Sequence, residues 1–129
     1  MSGRRESLPF PDVPDIGATP SQIQRWDAED AYNRIFGAGG HVDSAHMETE
    51  YIVEAAKDCI LTGVNGALWF YNHAMTQLRA ARQINSAALK DGLFRADQAG
   101  EHAVRIMEAE KKIRRELEAA ILQGCPCVK

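Results

Sequence analysis

The sequence predicts an all-α fold: a helical bundle with a long antiparallel C-terminal hairpin, preceded by an extended proline-rich arm. Three observations carry this. Apolar residues recur three or four apart over four stretches, as on the buried face of a helix, and none alternates convincingly with the period of two that a strand requires. Glycine-rich breaks at Gly37–Gly40, Gly63–Gly66 and Gly92 separate those stretches. Four prolines fall between Leu8 and Gln22, a density that no helix interior tolerates.

The arm is residues 1–19. Pro9, Pro11 and Pro14 alternate there with Leu8, Phe10, Val13 and Ile16. Proline fixes φ and restricts the residue before it, so the segment is already extended and loses less entropy on docking. Each large apolar side chain contributes roughly 1.5–3 kcal/mol when fully buried. Leu8, Phe10, Val13 and Ile16 therefore read as docking groups. Their target is the chain's own bundle or a neighbouring subunit, and the charge distribution described below favours the neighbour.

The bundle is expected over residues 20–123. Thr19-Pro20-Ser21-Gln22 starts a helix: Thr19 caps it, Pro20 suits its first position, and Gln22 can complete a capping box. This first helix should run from Pro20 to Phe36, with Ala28, Ala31, Tyr32 and Ile35 on one face and Ile23 and Trp26 on another. The glycines after it act as a terminator. A phosphate-binding loop would instead follow a strand and end in lysine, and neither holds here.

Asp43 or Ser44 should cap the second helix, which is expected to reach about Thr62. Met47, Tyr51, Ala55 and Cys59 form its core stripe, widened by Ile52, Ala56 and Ile60. The third helix should span Ala67 to Leu89, with Leu68, Tyr71, Met75, Leu78, Ala81 and Ile84 facing inward. Trp69, Phe70 and Tyr71 are consecutive and so point in three directions. Either this helix is central, or one aromatic, with Trp69 the candidate, meets a partner. The fourth helix, Leu93 to Gln123, would be about 46 Å long. Its seam steps through Ala99, Ala103, Ile106, Glu110, Ile113, Leu117 and Ala120, a coiled-coil spacing with one charge in it. A buried Glu110 needs a partner such as Arg79 or Arg82; alternatively, helical drift turns Ala109 inward and leaves Glu110 on the flank. Residues 124–129 form a tail holding Cys125 and Cys127.

Composition sets limits. No apolar run approaches the ~18 residues of a membrane-spanning helix, and no secretory h-region opens the chain, so a cytoplasmic or particle-bound protein is expected. Cys59 reads as a buried thiol in a reducing compartment. The net charge of −3 is unevenly spread, with −5 over residues 20–62 and +3 over residues 63–129. Such halves suit head-to-tail contacts between copies.

Chemistry is sparse. His46, Glu50, His73 and His102 are the nearest approach to a metal-ligand set in a bundle core. However, the Glu-x-x-His motif of carboxylate-bridged metal bundles is absent. No cofactor is predicted. No nucleophile, base and orienting group occur in a recognisable pattern, which leans against an enzyme. The Lys111-Lys112-Ile113-Arg114-Arg115 cluster is interleaved with Glu108, Glu110, Glu116 and Glu118. The i,i+4 pairs Glu108–Lys112, Glu110–Arg114 and Arg114–Glu118 predict a salt-bridged solvated face rather than a nucleic-acid patch. The sequence therefore points to a structural subunit that binds protein, either other copies of itself or a larger assembly. A virion neck or capsid-associated component is one form of this reading. An accessory subunit of an enzyme complex, a metal-binding bundle and, behind them, a nucleic-acid binder are the alternatives.

Overall fold

The computed structural model describes residues 19–123, and the docking candidates Leu8, Phe10, Val13 and Ile16 lie outside them. At Thr19 the expected capping box is present. The threonine hydroxyl accepts the Gln22 N–H at 3.2 Å, and the Gln22 carboxamide accepts the Thr19 N–H at 2.9 Å. The helix it opens is short: α1 spans Pro20–Ile23, and α2 spans Ala28–Phe36 after a turn. The expected continuous helix fails at Asp27. Its carboxylate accepts the Asp30 N–H at 2.7 Å, which starts a new helix in place of continuing the old one. The break resolves the conflict between the two apolar faces. Ile23 becomes fully buried, and Trp26 packs beneath Arg34, whose guanidinium lies 4.0 Å from the ring centroid.

The second long segment, α3, spans His41–Lys57. It begins at Gly40 rather than at Asp43 or Ser44, and Asp43 instead reaches back to accept the Gly39 N–H at 3.0 Å. It also ends before Thr62. Ile60 N–H bonds the Ala55 carbonyl at 2.9 Å and Cys59 N–H bonds Ala56 at 3.1 Å, the Schellman pattern of a helix stop. The left-handed residue such a stop needs is Cys59, with φ 65°, not glycine. Cys59 is disulfide-bonded where a buried thiol was expected, and it is the only cysteine among the described residues.

The core face of α3 is Val42, Ala45, Thr49, Ile52 and Ala55. Met47 and Tyr51, expected in it, are 52% and 45% exposed. A strict i+4 stripe turns about 40° around the helix at every step, so only a mixture of threes and fours stays on one face.

The connection after α3 folds back so that the Ile60 and Leu61 carbonyls accept the Ala67 and Leu68 N–H groups at 3.0 and 2.9 Å. This satisfies donors of α4 (Ala67–Lys90) that no side chain caps. A second Schellman stop, with Gly92 at φ 81°, ends α4. The last helix, α5, spans Ala96–Gln123. It starts later than Leu93 because Phe94 is buried against the bundle and Gln98 caps the Arg95 N–H at 2.9 Å.

Among the described residues the fold is an all-helical bundle without strands. The helices α3, α4 and α5 pack on one another, α2 lies against α3 and α4, and α1 lies against α4. Helix α4 is thus the central element. That answers the aromatic triplet: Trp69, Phe70 and Tyr71 are each half-buried in different directions. Ile23, Ile35, Ile52, Leu78, Ile84, Ile106 and Ile113 are the large side chains fully removed from solvent.

On α5 the buried line is Ala99, His102, Ile106, Ala109, Ile113 and Leu117. His102 replaces the expected Ala103, and Ala109 replaces Glu110. Glu110 sits on the flank at 17% side-chain exposure, held by Arg82 of α4 and by Arg114 at 3.1 Å. Gly100 lies in the interior of α5 on the solvent side, and a Cβ there would meet nothing within 4 Å. Gly100→Ala is therefore expected to raise unfolding stability by about 0.5–1 kcal/mol, read from the urea midpoint.

Candidate functional site

The four candidate ligands fall in separate places. Glu50 is exposed on α3. His73 on α4 donates from Nδ1 to Glu48 Oε2 at 2.8 Å and stacks on Trp69, with ring centroids 5.0 Å apart and planes 9° from parallel. His102 on α5 sits deep among Tyr32, Phe36 and Phe94, with centroid distances of 5.3, 5.2 and 4.7 Å. His46 is on α3, facing α5. Among the described residues, no group of three or more His, Cys, Asp or Glu side chains converges as a metal site requires.

Each histidine has its own local reason. The His73–Glu48 pair fixes the imidazole tautomer, and the pair is half-buried between α3 and α4. His102 donates from Nδ1 to Asn85 Oδ1 at 3.2 Å, and Asn85 Nδ2 donates to the Ala99 carbonyl at 3.0 Å. Burial holds His102 below the ordinary imidazole value, helped by Arg105 and opposed by Glu101. Trp69, expected as a partner-binding residue, covers His73 with one face and meets Phe70 edge-on.

A cleft opens where α2, α3 and α5 meet, with a volume of about 520 Å³. Phe36 closes it from α2, and Val42 and His46 line it from α3. From α5 it receives Arg105, Glu108, Ala109, Lys111, Lys112 and Arg115. Arg105 is fixed: its guanidinium lies 3.8 Å from the Phe36 ring centroid and donates to Tyr32 Oη at 2.8 Å. His46 Nδ1 is buried in the structure without a hydrogen-bond partner. Its pKa is lowered by burial and by Lys112, with Asp43 acting the other way.

This corrects the picture of the 111–115 cluster. Of the three expected i,i+4 pairs, Glu110–Arg114 forms an ion pair, while Glu108–Lys112 and Arg114–Glu118 do not come within 4 Å among the described residues. Lys111, Lys112 and Arg115 line the cleft in place of a salt-bridged face.

Large apolar side chains are exposed at several further places, Leu89, Val104 and Met107 among them. Ile60, Leu61 and Val64 are exposed in the α3–α4 connection, and Ile121 and Leu122 in the last turn of α5, where Leu122 is 85% exposed. No described helix is long and apolar enough to cross a membrane. No protein-family model matches the chain, and no curated protein or solved structure matches it either.

Proposed function

We propose that this protein is a structural subunit that assembles with other copies of itself, gripping through its N-terminal arm and the apolar end of its bundle. The carrying observation is the exposure of large apolar side chains in the α3–α4 connection and in the last turn of α5. Arg82 with Glu110, Asn85 with Ala99, and Tyr71 with Arg114 pair α4 and α5 in opposite numerical order, as in a long antiparallel hairpin. Arg114 beside Tyr71 brings residues near 118 level with the start of α4 at ~1.5 Å per residue. The last turn of α5 then overhangs the α3–α4 connection. On that register Ile121 and Leu122 fall toward the same end of the bundle as Ile60, Leu61 and Val64, all of them exposed.

A soluble surface gains nothing from such exposure unless something covers it. The arm supplies matching side chains in Leu8, Phe10, Val13 and Ile16. The opposite charges of residues 20–62 and 63–129 favour copies meeting head to tail. A virion neck or capsid-associated component is one form that such a subunit takes, and an accessory subunit of an enzyme complex is another.

Light scattering behind size-exclusion chromatography tests this. The full chain should elute at a multiple of 14.3 kDa, and both removal of residues 2–18 and Leu61→Ser/Leu122→Ser should reduce it to the mass of a single chain of that variant. A full chain that stays at 14.3 kDa at its highest soluble concentration overturns the reading.

A further inference from the structure

We propose that the cleft between α3 and α5 is a binding site for a small oligophosphate, the linked phosphates of a small molecule rather than the backbone of a nucleic acid. Four cations line it, Arg105, Lys111, Lys112 and Arg115, against one acid, Glu108. The cations are available. Four glutamates flank the 111–115 cluster in sequence, yet Lys111, Lys112 and Arg115 make no ion pair within 4 Å among the described residues. Arg105 is already positioned by Phe36 and Tyr32, so its charge is presented without further ordering.

The interior supplies the second, independent observation. His46 from α3 also lines the cleft, its Nδ1 closed off from solvent and unpaired, so the charge state of its ring reports on charge placed beside Lys112. An anion beside it would also counter Lys112, which now disfavours the charged imidazolium.

Size and surroundings decide between small and large phosphates. Arg105 to Arg115 covers about 15 Å of helix, long enough for more than one phosphate group. A cavity of about 520 Å³ floored by Val42 and Ala109 admits a small molecule and excludes a duplex. Outside the cleft lining, α3 carries Asp43, Glu50 and Glu54 on exposed positions, and their charges disfavour a long polyanion on that helix.

The test uses the full chain, with histidine ring resonances followed by NMR while pyrophosphate is titrated at low salt. The expected result is a saturable shift of His46 alone among the described histidines, with its pKa moving up. Lys112→Ala and Arg115→Ala should each weaken pyrophosphate binding about tenfold. Both positions are exposed, so unchanged circular dichroism is expected to confirm the fold. Orthophosphate should bind more weakly than pyrophosphate. His46 resonances unmoved at millimolar pyrophosphate would overturn the proposal. So would folded Lys112→Ala and Arg115→Ala variants that bind as the parent does, or a DNA duplex that shifts His46 at lower phosphate concentration than pyrophosphate. The site does not depend on self-assembly, so its failure would leave the mass measurement above untouched.

Discussion

Leu78→Ala should destabilise the bundle by about 3–5 kcal/mol, the upper part of the range for large-to-small core changes. Leu78 is fully buried on the helix that touches all four others. On its own helix Ala74 and Ala81 are also fully buried, with the partly buried Met75 beside them. Alanine has no rotamers with which to swing into a void, so collapse of the site is limited and most of the cavity term remains. Urea denaturation monitored by circular dichroism gives the number directly. Leu122→Ala is the control. That residue is 85% exposed, and its loss should stay within about 0.5 kcal/mol. A loss at Leu78 as small as at Leu122 would mean that α4 is not the helix around which the others pack.

The central position of α4 was one of the two readings that the aromatic triplet allowed, because three consecutive aromatics cannot share one stripe. Its boundaries were legible, since glycine breaks flank it and the Gly92 stop is a left-handed cap. The limits of α3 were not. A cysteine in the left-handed region carries no composition signal, so the stop at Cys59 was hidden within an apparently helical run. The break before Asp27 was partly visible, because an aspartate followed by an acidic first turn is itself a start signal. Apolar periodicity across residues 20–36 masked it.

The same distinction separates the seam from the cleft. Helical drift on α5 follows from geometry, and Arg82 was an available partner for Glu110, so both the flank position and the ion pair could be anticipated. The basic cleft could not. Spacing along α5 says that Glu108 and Lys112 are neighbours, but not which way each side chain turns. That depends on where α3 places His46 and where α2 places Phe36, which are tertiary facts. His102 shows the limit most clearly. The sequence offered it as a possible metal ligand, whereas Asn85, Tyr32, Phe36 and Phe94, brought from three other parts of the chain, enclose it as a buried hydrogen-bonded ring.

That enclosure yields the second large effect. Asn85→Leu should cost about 2 kcal/mol at neutral pH, because it leaves the buried His102 N–H without an acceptor and removes a donor from the Ala99 carbonyl. His102→Phe should cost less than that, since the new ring keeps the aromatic contacts and only the Asn85 carbonyl oxygen loses its partner. The double variant should lose less than the two single losses combined, because both remove the same bond. Acid separates the variants further. The folded-state pKa of His102 lies below its ordinary value, so as pH falls the unfolded chain takes up the proton first. By linkage, stability is full above about 6.5, the unfolded value, and is lost as pH falls through the folded one. His46 adds a loss of the same sign, with burial and Lys112 lowering its pKa and Asp43 opposing them. Urea midpoints measured from pH 7.5 downward should therefore decline in the parent. The decline should be shallower in His102→Phe, and shallower still when His46→Ala is added. A parent curve that rises with acid would mean that neither ring is held neutral by its surroundings, and the buried bond from His102 to Asn85 would lose its claim to order the bundle around α5.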